Sequence, residues 1–524
     1  MSYNSLTFIL FFAVYLVIYL CMPRVWLRQG VILVGSLVFY RYAGRLTPLA
    51  ILLLTSMIVY AASLRIAKIY DGYEVEKEGL SAKEQAVLFA GYKKKSRKYL
   101  WAALALILGI LIYTKAGRLL HWTEAGKLSE LFQWKAYIVP LGISYYTFSS
   151  VGYLLDIYWK KAKCERNYFS LLACMSYFPH IVQGPISRYD KVLKQFHTLP
   201  GFSYERVCFG LQRMLWGYFK KMVVSDRIAL VTSNVFSAPS EYAGVEILIF
   251  VILGAVELYA DFSGCMDIVI GAAQTMGVTL EENFKRPFFS KSAAEFWRRW
   301  HMTLGVWFKD YIYMPIAMNP KFMKLAVSVR KKSGNKAGQI FSAAIPLGVV
   351  WILTGLWHGT GADYVVWGCY WGTLIILETV LAPEMKKWTQ KLRIDTTTFG
   401  YRLFQMIRTF LLFCIGRMIT VTGSLEGFAL MLTGLFREHR LWVLFDGSLY
   451  LHGLDQKNFA VVFFGILLMW GVDIMQEKMK IRESLGRQPI VLRWFVYYGV
   501  IAFLLIFGMY GSAYDSGAFL YDAF

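Results

Sequence analysis

His301 and His358 are the side chains in this sequence best suited to moving a proton during a reaction. A neutral imidazole titrates near physiological pH, so it can take a proton from a hydroxyl and return it later. His301 lies in residues 281–315, EENFKRPFFSKSAAEFWRRWHMTLGVWFKDYIYMP, and His358 in residues 351–368, WILTGLWHGTGADYVVWG. Both stretches are otherwise dominated by Trp, Phe, Leu and Tyr. Titratable groups at bilayer depth cost several kcal/mol unless they face a cavity or a partner, which directs attention to these two segments. If residues 292–313 form one helix, Trp297, Trp300, His301 and Leu304 share a stripe at i, i+3, i+4 and i+7. Arg298 and Arg299 then lie just outside it. Composition admits two readings of this helix. One is an interfacial anchor with snorkelling arginines, and the other a cationic mouth for a phosphate-bearing donor bound by Trp297, Arg298 and Arg299. His358 closes an apolar run and is flanked by Gly355, Gly359 and Gly361, a pattern that predicts a backbone open to close approach.

The elements that must position these groups are membrane helices. Of the 524 residues, 57% are hydrophobic and 17% are charged, well below the roughly 25% charged of soluble domains. Apolar runs recur at 6–21, 48–64, 99–114, 136–158, 205–223, 246–273, 340–357, 365–381, 401–421, 459–472 and 491–510. Many approach the length of about 20 residues that crosses hydrocarbon as helix. Residues 31–40 and 168–182 read as hairpin arms or re-entrant pieces. The fold class expected is all-α and polytopic, with roughly ten to thirteen crossings (about 20 residues each) in a single multi-pass domain over residues 1–510.

The formal charge of +22 sits in the joints, at residues 93–98, 160–166, 321–336, 386–393 and 478–493. That distribution marks cytoplasmic loops and argues against nucleic acid as a partner. Seven cysteines without a CxxC pair supply neither a disulfide framework nor a zinc site. Residues 71–98 read as an amphipathic helical loop lying at the cytoplasmic surface. Residues 176–189, SYFPHIVQGPISRY, read as a broken segment lining a cavity, with His180 a hydrogen-bonded structural histidine. Glu257, Asp261 and Asp267 inside an apolar run should face protein and be hydrogen-bonded; no metal is expected there. No P-loop, GxGxxG or internal repeat points to a nucleotide-driven pump.

The runs ADFSGCMDIVIG, ENFKRPFFSKSAAEFWRRWHMTLGVWFKDYIYMPI, LTGLWHG and SYFPHIVQGPISRY resemble the signature of the membrane-bound O-acyltransferase family. Within it the likeness is greatest to the membrane subunits of alginate O-acetylation, and more distant to those of teichoic-acid D-alanylation. The matched motifs cover residues 139–372. The resemblance implies a ring of tilted helices around a central tunnel, with His358 at the family's catalytic position and His301 at its supporting one. It also implies acetyl-CoA as donor substrate, with no bound cofactor. On this basis His358 would deprotonate the attacking hydroxyl, and His301 would hold or polarise the thioester.

The final residues, FLYDAF, resemble the F-x-Y-x-x-F tail of bacterial acyl-export systems. The resemblance implies an extracellular tail over residues 511–524, with Tyr521 as acyl carrier between Phe519 and Phe524. An aromatic tail could also serve simply as an interfacial anchor. The partners implied are an extracellular SGNH-type serine transferase, a cell-surface or secreted polysaccharide and membrane lipids, with the protein in the plasma membrane. Two alternatives stay open: transfer of D-alanyl or another acyl group from a carrier protein, and transport of a lipid-linked sugar.

Overall fold

A computed structural model describes residues 2–43, 46–120, 140–359 and 361–510. The described residues form helices and joints without strands. Seven of the helices are long and apolar enough to cross a membrane by length and composition: Leu46–Glu76, Ala82–Lys115, Pro320–His358, Ala362–Lys391, Phe399–Val421, Gln456–Gln476 and Ile490–Phe507. Leu6–Cys21 is a shorter apolar helix. Residues 31–40 lie inside the single helix Val25–Ala43. The polar stretch at 71–98 is helical, as expected, and runs on from the apolar helices on either side. Its residues extend Leu46–Glu76 and Ala82–Leu120, leaving only a short joint at 77–81.

The chain divides into two compact units that interleave in sequence. Met1–Met214 and Ile268–Glu281 form one. Its core includes an aromatic cluster in which Phe178 meets Phe8, Phe39 and Tyr15, with ring centroids 5.3–6.2 Å apart. Phe178 arrives there because the segment at 168–182 is broken, as Pro179 predicts. Helix Tyr168–Ser176 stops, Tyr177 leaves helical geometry, and a short turn Phe178–Ile181 follows. His180 is buried, with Nε2 2.8 Å from the Cys174 carbonyl, a structural hydrogen bond of the kind expected.

Leu215–Asp267 and Glu282–Phe524 form the second unit, which carries His301 and His358. Here the 31-residue helix Val245–Thr275 supplies Glu257, Asp261 and Asp267, all directed into protein as expected. Glu257 accepts from Thr232 at 2.7 Å. Asp261 and Asp267 pair with Lys221 and Lys220 at 2.6 and 2.7 Å. Both lysines lie in a π-helix, Phe219–Ser225, and are buried. The basic run at 321–336 is helical, within Pro320–His358, and the helix is interrupted once at Gly334, whose φ of 88° is left-handed.

Candidate active site

Residues 292–313 do not form one helix. Ala293–Trp297 is a short helix, Met302–Phe308 another, and His301 between them is left-handed at φ 45° and ψ 49°. Left-handed geometry in a residue with a Cβ costs about 1–3 kcal/mol and persists where neighbours hold it. The first helix is fixed at its start. Ser292 Oγ accepts from the Glu295 N–H, and the Glu378 carboxylate accepts from the N–H groups of Ala293 and Ala294 at 2.7 and 3.0 Å. An anion at a helix N-terminus satisfies donors that the helix itself leaves unpaired.

The turn is then held by Asn283. Its backbone carbonyl accepts from Met302 N–H at 3.0 Å. Its side-chain Oδ1 lies 3.1 Å from Thr303 N, 2.9 Å from Thr303 Oγ1 and 3.2 Å from His301 Nδ1. Sequence reasoning did not single out Asn283 or Glu378. The available signal for Asn283 was its place between Glu282 and Phe284 at the head of the segment that leads to the Arg-Arg-Trp-His run.

The broken geometry removes the predicted stripe but brings the two histidines together. Both are buried, and their ring centroids lie 6.4 Å apart. Phe262 meets His301 edge-on at 4.9 Å. The Trp357 ring contacts both imidazoles, at 5.7 Å from His301 and 4.7 Å from His358, and Trp367 lies 5.0 Å from His358. Two adjacent imidazoles walled by aromatic rings make a water-poor setting in which a proton can move between a hydroxyl and a leaving group.

Trp297 packs among Trp351, Trp367 and Trp371, with centroids 4.9–5.5 Å away, and so joins the His301 segment to the hairpin that carries His358. Arg298 is exposed, whereas Arg299 pairs with Glu295 at 2.7 Å and Glu477 at 3.8 Å. The glycines near His358 differ from the expectation of an open backbone. A Cβ on Gly355 would overlap the Tyr364 carbonyl oxygen, one on Gly359 the Tyr364 ring, and one on Gly361 the Asp363 carboxylate. A Cβ on Gly368 would lie 2.5 Å from the Trp351 carbonyl oxygen. These glycines let Pro320–His358 and Ala362–Lys391 press together, the role small residues serve between helices in lipid. Tyr521, Phe519 and Phe524 lie outside the described residues.

Residues 159–328 match the profile of MBOAT, the membrane-bound O-acyltransferase family, a span that includes Asn283 and His301 and ends before His358. A protein named "Probable alginate O-acetylase AlgI", from Pseudomonas syringae pv. tomato, is 31% identical over 293 residues, 55% of this chain and 50% of that protein. A "Peptidoglycan O-acetyltransferase" from Helicobacter pylori is 25% identical over 55% of this chain and 57% of its own. A "Teichoic acid D-alanyltransferase" from Bacillus subtilis is 27% identical over 53% of this chain and 67% of its own. The chain spans about half the length of the alginate relatives it matches. Residues 159–328 thus carry the profile of the membrane-bound O-acyltransferase family, and the chain is similar over about half its length to O-acetylating and D-alanylating members of that kind.

Proposed function

We propose that the protein is a membrane O-acetyltransferase that takes acetyl groups from cytoplasmic acetyl-CoA and passes them outward for O-acetylation of a polysaccharide. The observation that carries this reading is the pair of buried imidazoles, whose ring centroids lie 6.4 Å apart, in a multi-pass chain that matches an acyltransferase profile over residues 159–328. His358 takes the proton from the attacking hydroxyl as its oxygen bonds to the thioester carbonyl carbon. The C–S bond breaks, the thiolate receives that proton, and free CoA leaves.

We assign the attacking hydroxyl to Tyr521, with Phe519 and Phe524 serving to dock the tail. A phenyl ester is more activated than an alkyl ester, so a second transfer to a sugar hydroxyl runs downhill. That transfer belongs to an extracellular serine transferase of the SGNH type. The likeness to alginate and peptidoglycan O-acetylating proteins supports an acetyl donor and a polysaccharide acceptor. The likeness to teichoic-acid D-alanyltransferases supports a second reading, in which a carrier protein delivers the acyl group. Binding of a purified acyl-carrier protein, with no acetyl-CoA turnover, would select that reading.

The test is acetyl transfer from labelled acetyl-CoA by the full chain in vesicles. His358→Ala should lower the rate by about 10²–10⁴-fold, the usual cost of removing a general base, while the protein remains folded. His301→Ala should cost less. Wild-type turnover in folded His358→Ala would sink the assignment.

A further inference from the structure

We propose that Asn283 is a positioning residue that fixes His301 as its Nδ1–H tautomer, so that Nε2 enters the reaction as a lone-pair acceptor. The inference rests on the catalytic reading above and refines what His301 does within it.

Its physical basis is the identity of one atom. The side-chain atom of Asn283 that faces His301 Nδ1 at 3.2 Å also lies 3.1 Å from the backbone nitrogen of Thr303. A backbone N–H can only donate, so that atom must be the amide oxygen, since an NH₂ group there would set two donors against each other. The opposite orientation of the amide is excluded by the same contact. The Thr303 hydroxyl donates to the same oxygen at 2.9 Å. On the other side, Asn283 Nδ2 lies 3.3 Å from Met266 Sδ, a weak acceptor that suits the NH₂ end.

With an acceptor opposite it, His301 Nδ1 must carry the hydrogen. In a neutral imidazole the other nitrogen is then bare. Both residues are buried, only 1% exposed, so no solvent competes for this hydrogen bond. The backbone reinforces it, because Asn283 also binds Met302 N–H through its carbonyl and so holds the left-handed turn that aims the ring.

The consequence for chemistry is a direction. A neutral His301 with bare Nε2 cannot donate a hydrogen bond to the thioester carbonyl from that nitrogen. It can accept one from the attacking hydroxyl, or from the His358 ring beside it. The polarising role expected from sequence is thereby replaced by an accepting one, in which His301 orients a donor or receives a proton in passage.

The test uses the full chain in lipid nanodiscs with ¹⁵N-labelled histidine, and His301 is assigned by the signal lost in His301→Gln. The wild type should show a pyrrole-type Nδ1 and a pyridine-type Nε2. Asn283→Asp keeps an acceptor opposite Nδ1 and should keep that nitrogen pyrrole-type. Asn283→Ala should lose the preference, with kcat for acetyl transfer falling about tenfold or more and KM for acetyl-CoA nearly unchanged. A pyridine-type Nδ1 in the wild type, or an unaltered tautomer in Asn283→Ala, would overturn the assignment, and the wild-type spectrum decides even if a variant fails to fold. The spectra need no substrate. A wild-type chain with the expected tautomer and no acetyl transfer would therefore overturn the functional reading alone.

Discussion

Arg298 and Arg299 are adjacent in sequence yet meet different surroundings, and that difference can be measured. Arg298 is exposed, while Arg299 is half-buried and paired with Glu295 and Glu477. From sequence the two are interchangeable candidates for a donor's phosphates, because the second partner of Arg299, Glu477, lies on a distant element that only folding brings near. Arg298→Glu should raise KM for acetyl-CoA and weaken the dependence of KM on salt, since one screened attraction is lost. Arg299→Glu should instead lower thermal stability, by placing a third carboxylate beside two others. A KM insensitive to Arg298→Glu would leave that side chain as a membrane anchor. The histidines were legible for the converse reason. Each is a lone imidazole in an apolar run, and such a group is costly enough to be noticed without coordinates.

At the scale of elements, apolar length was legible and the breaks were not. The long helices follow from hydropathy, but the left-handed His301 and the π-helix Phe219–Ser225 depend on tertiary partners. The buried lysines are the clearest case. Lys220 and Lys221 sit within a run read as apolar, and two of their carboxylate partners, Asp267 and Asp261, lie 47 and 40 residues on. Lys221 pairs with Asp226 at 2.9 Å and with Asp261 at 2.6 Å. Removing one partner of a buried ion pair typically costs about 3–5 kcal/mol, because the other charge is left without compensation. Lys221→Met should therefore lower the unfolding temperature of the purified protein markedly, and a change within error would mean that water or another cation replaces it. Gly355→Val tests the hairpin. Its side chain meets the Tyr364 carbonyl, and overpacking of this kind costs about 1–3 kcal/mol. It should also move His358, three residues along the same helix, so activity should fall more than stability does. Full activity in the folded variant would show that the close crossing does not set the position of His358.

At the scale of the whole chain, the proposed function raises the question of how an acyl group taken from a cytoplasmic donor would leave the site. The basic joint at 478–493 predicts a cytoplasmic start for helix Ile490–Phe507, and the proposed relay requires that the chain after it lie outside. The end of that helix is anchored within the unit that carries both histidines. Arg227 Nη1 donates to the Phe507 carbonyl at 2.7 Å, and Met509 N–H donates to the Met222 carbonyl at 3.0 Å. Fourteen further residues follow Tyr510, a length that spans about 45 Å when extended. Eleven of them end at Tyr521, about 36 Å when extended, which is the reach available for a return of Tyr521 to the imidazoles. Tyr521→Phe keeps the ring and its interfacial preference and removes only the hydroxyl, so an anchoring tail would lose little. An acyl-carrying tail would lose all onward transfer while still binding acetyl-CoA. Mass spectrometry of the C-terminal peptide after incubation with acetyl-CoA should find one acetyl group on Tyr521, absent in His358→Ala. Phe519→Ala and Phe524→Ala should reduce that acetylation without abolishing it, because they loosen docking and leave the acceptor in place. Export of acetyl at the wild-type level by Tyr521→Phe would mean that the polysaccharide hydroxyl, or that of another carrier, reaches the two histidines directly.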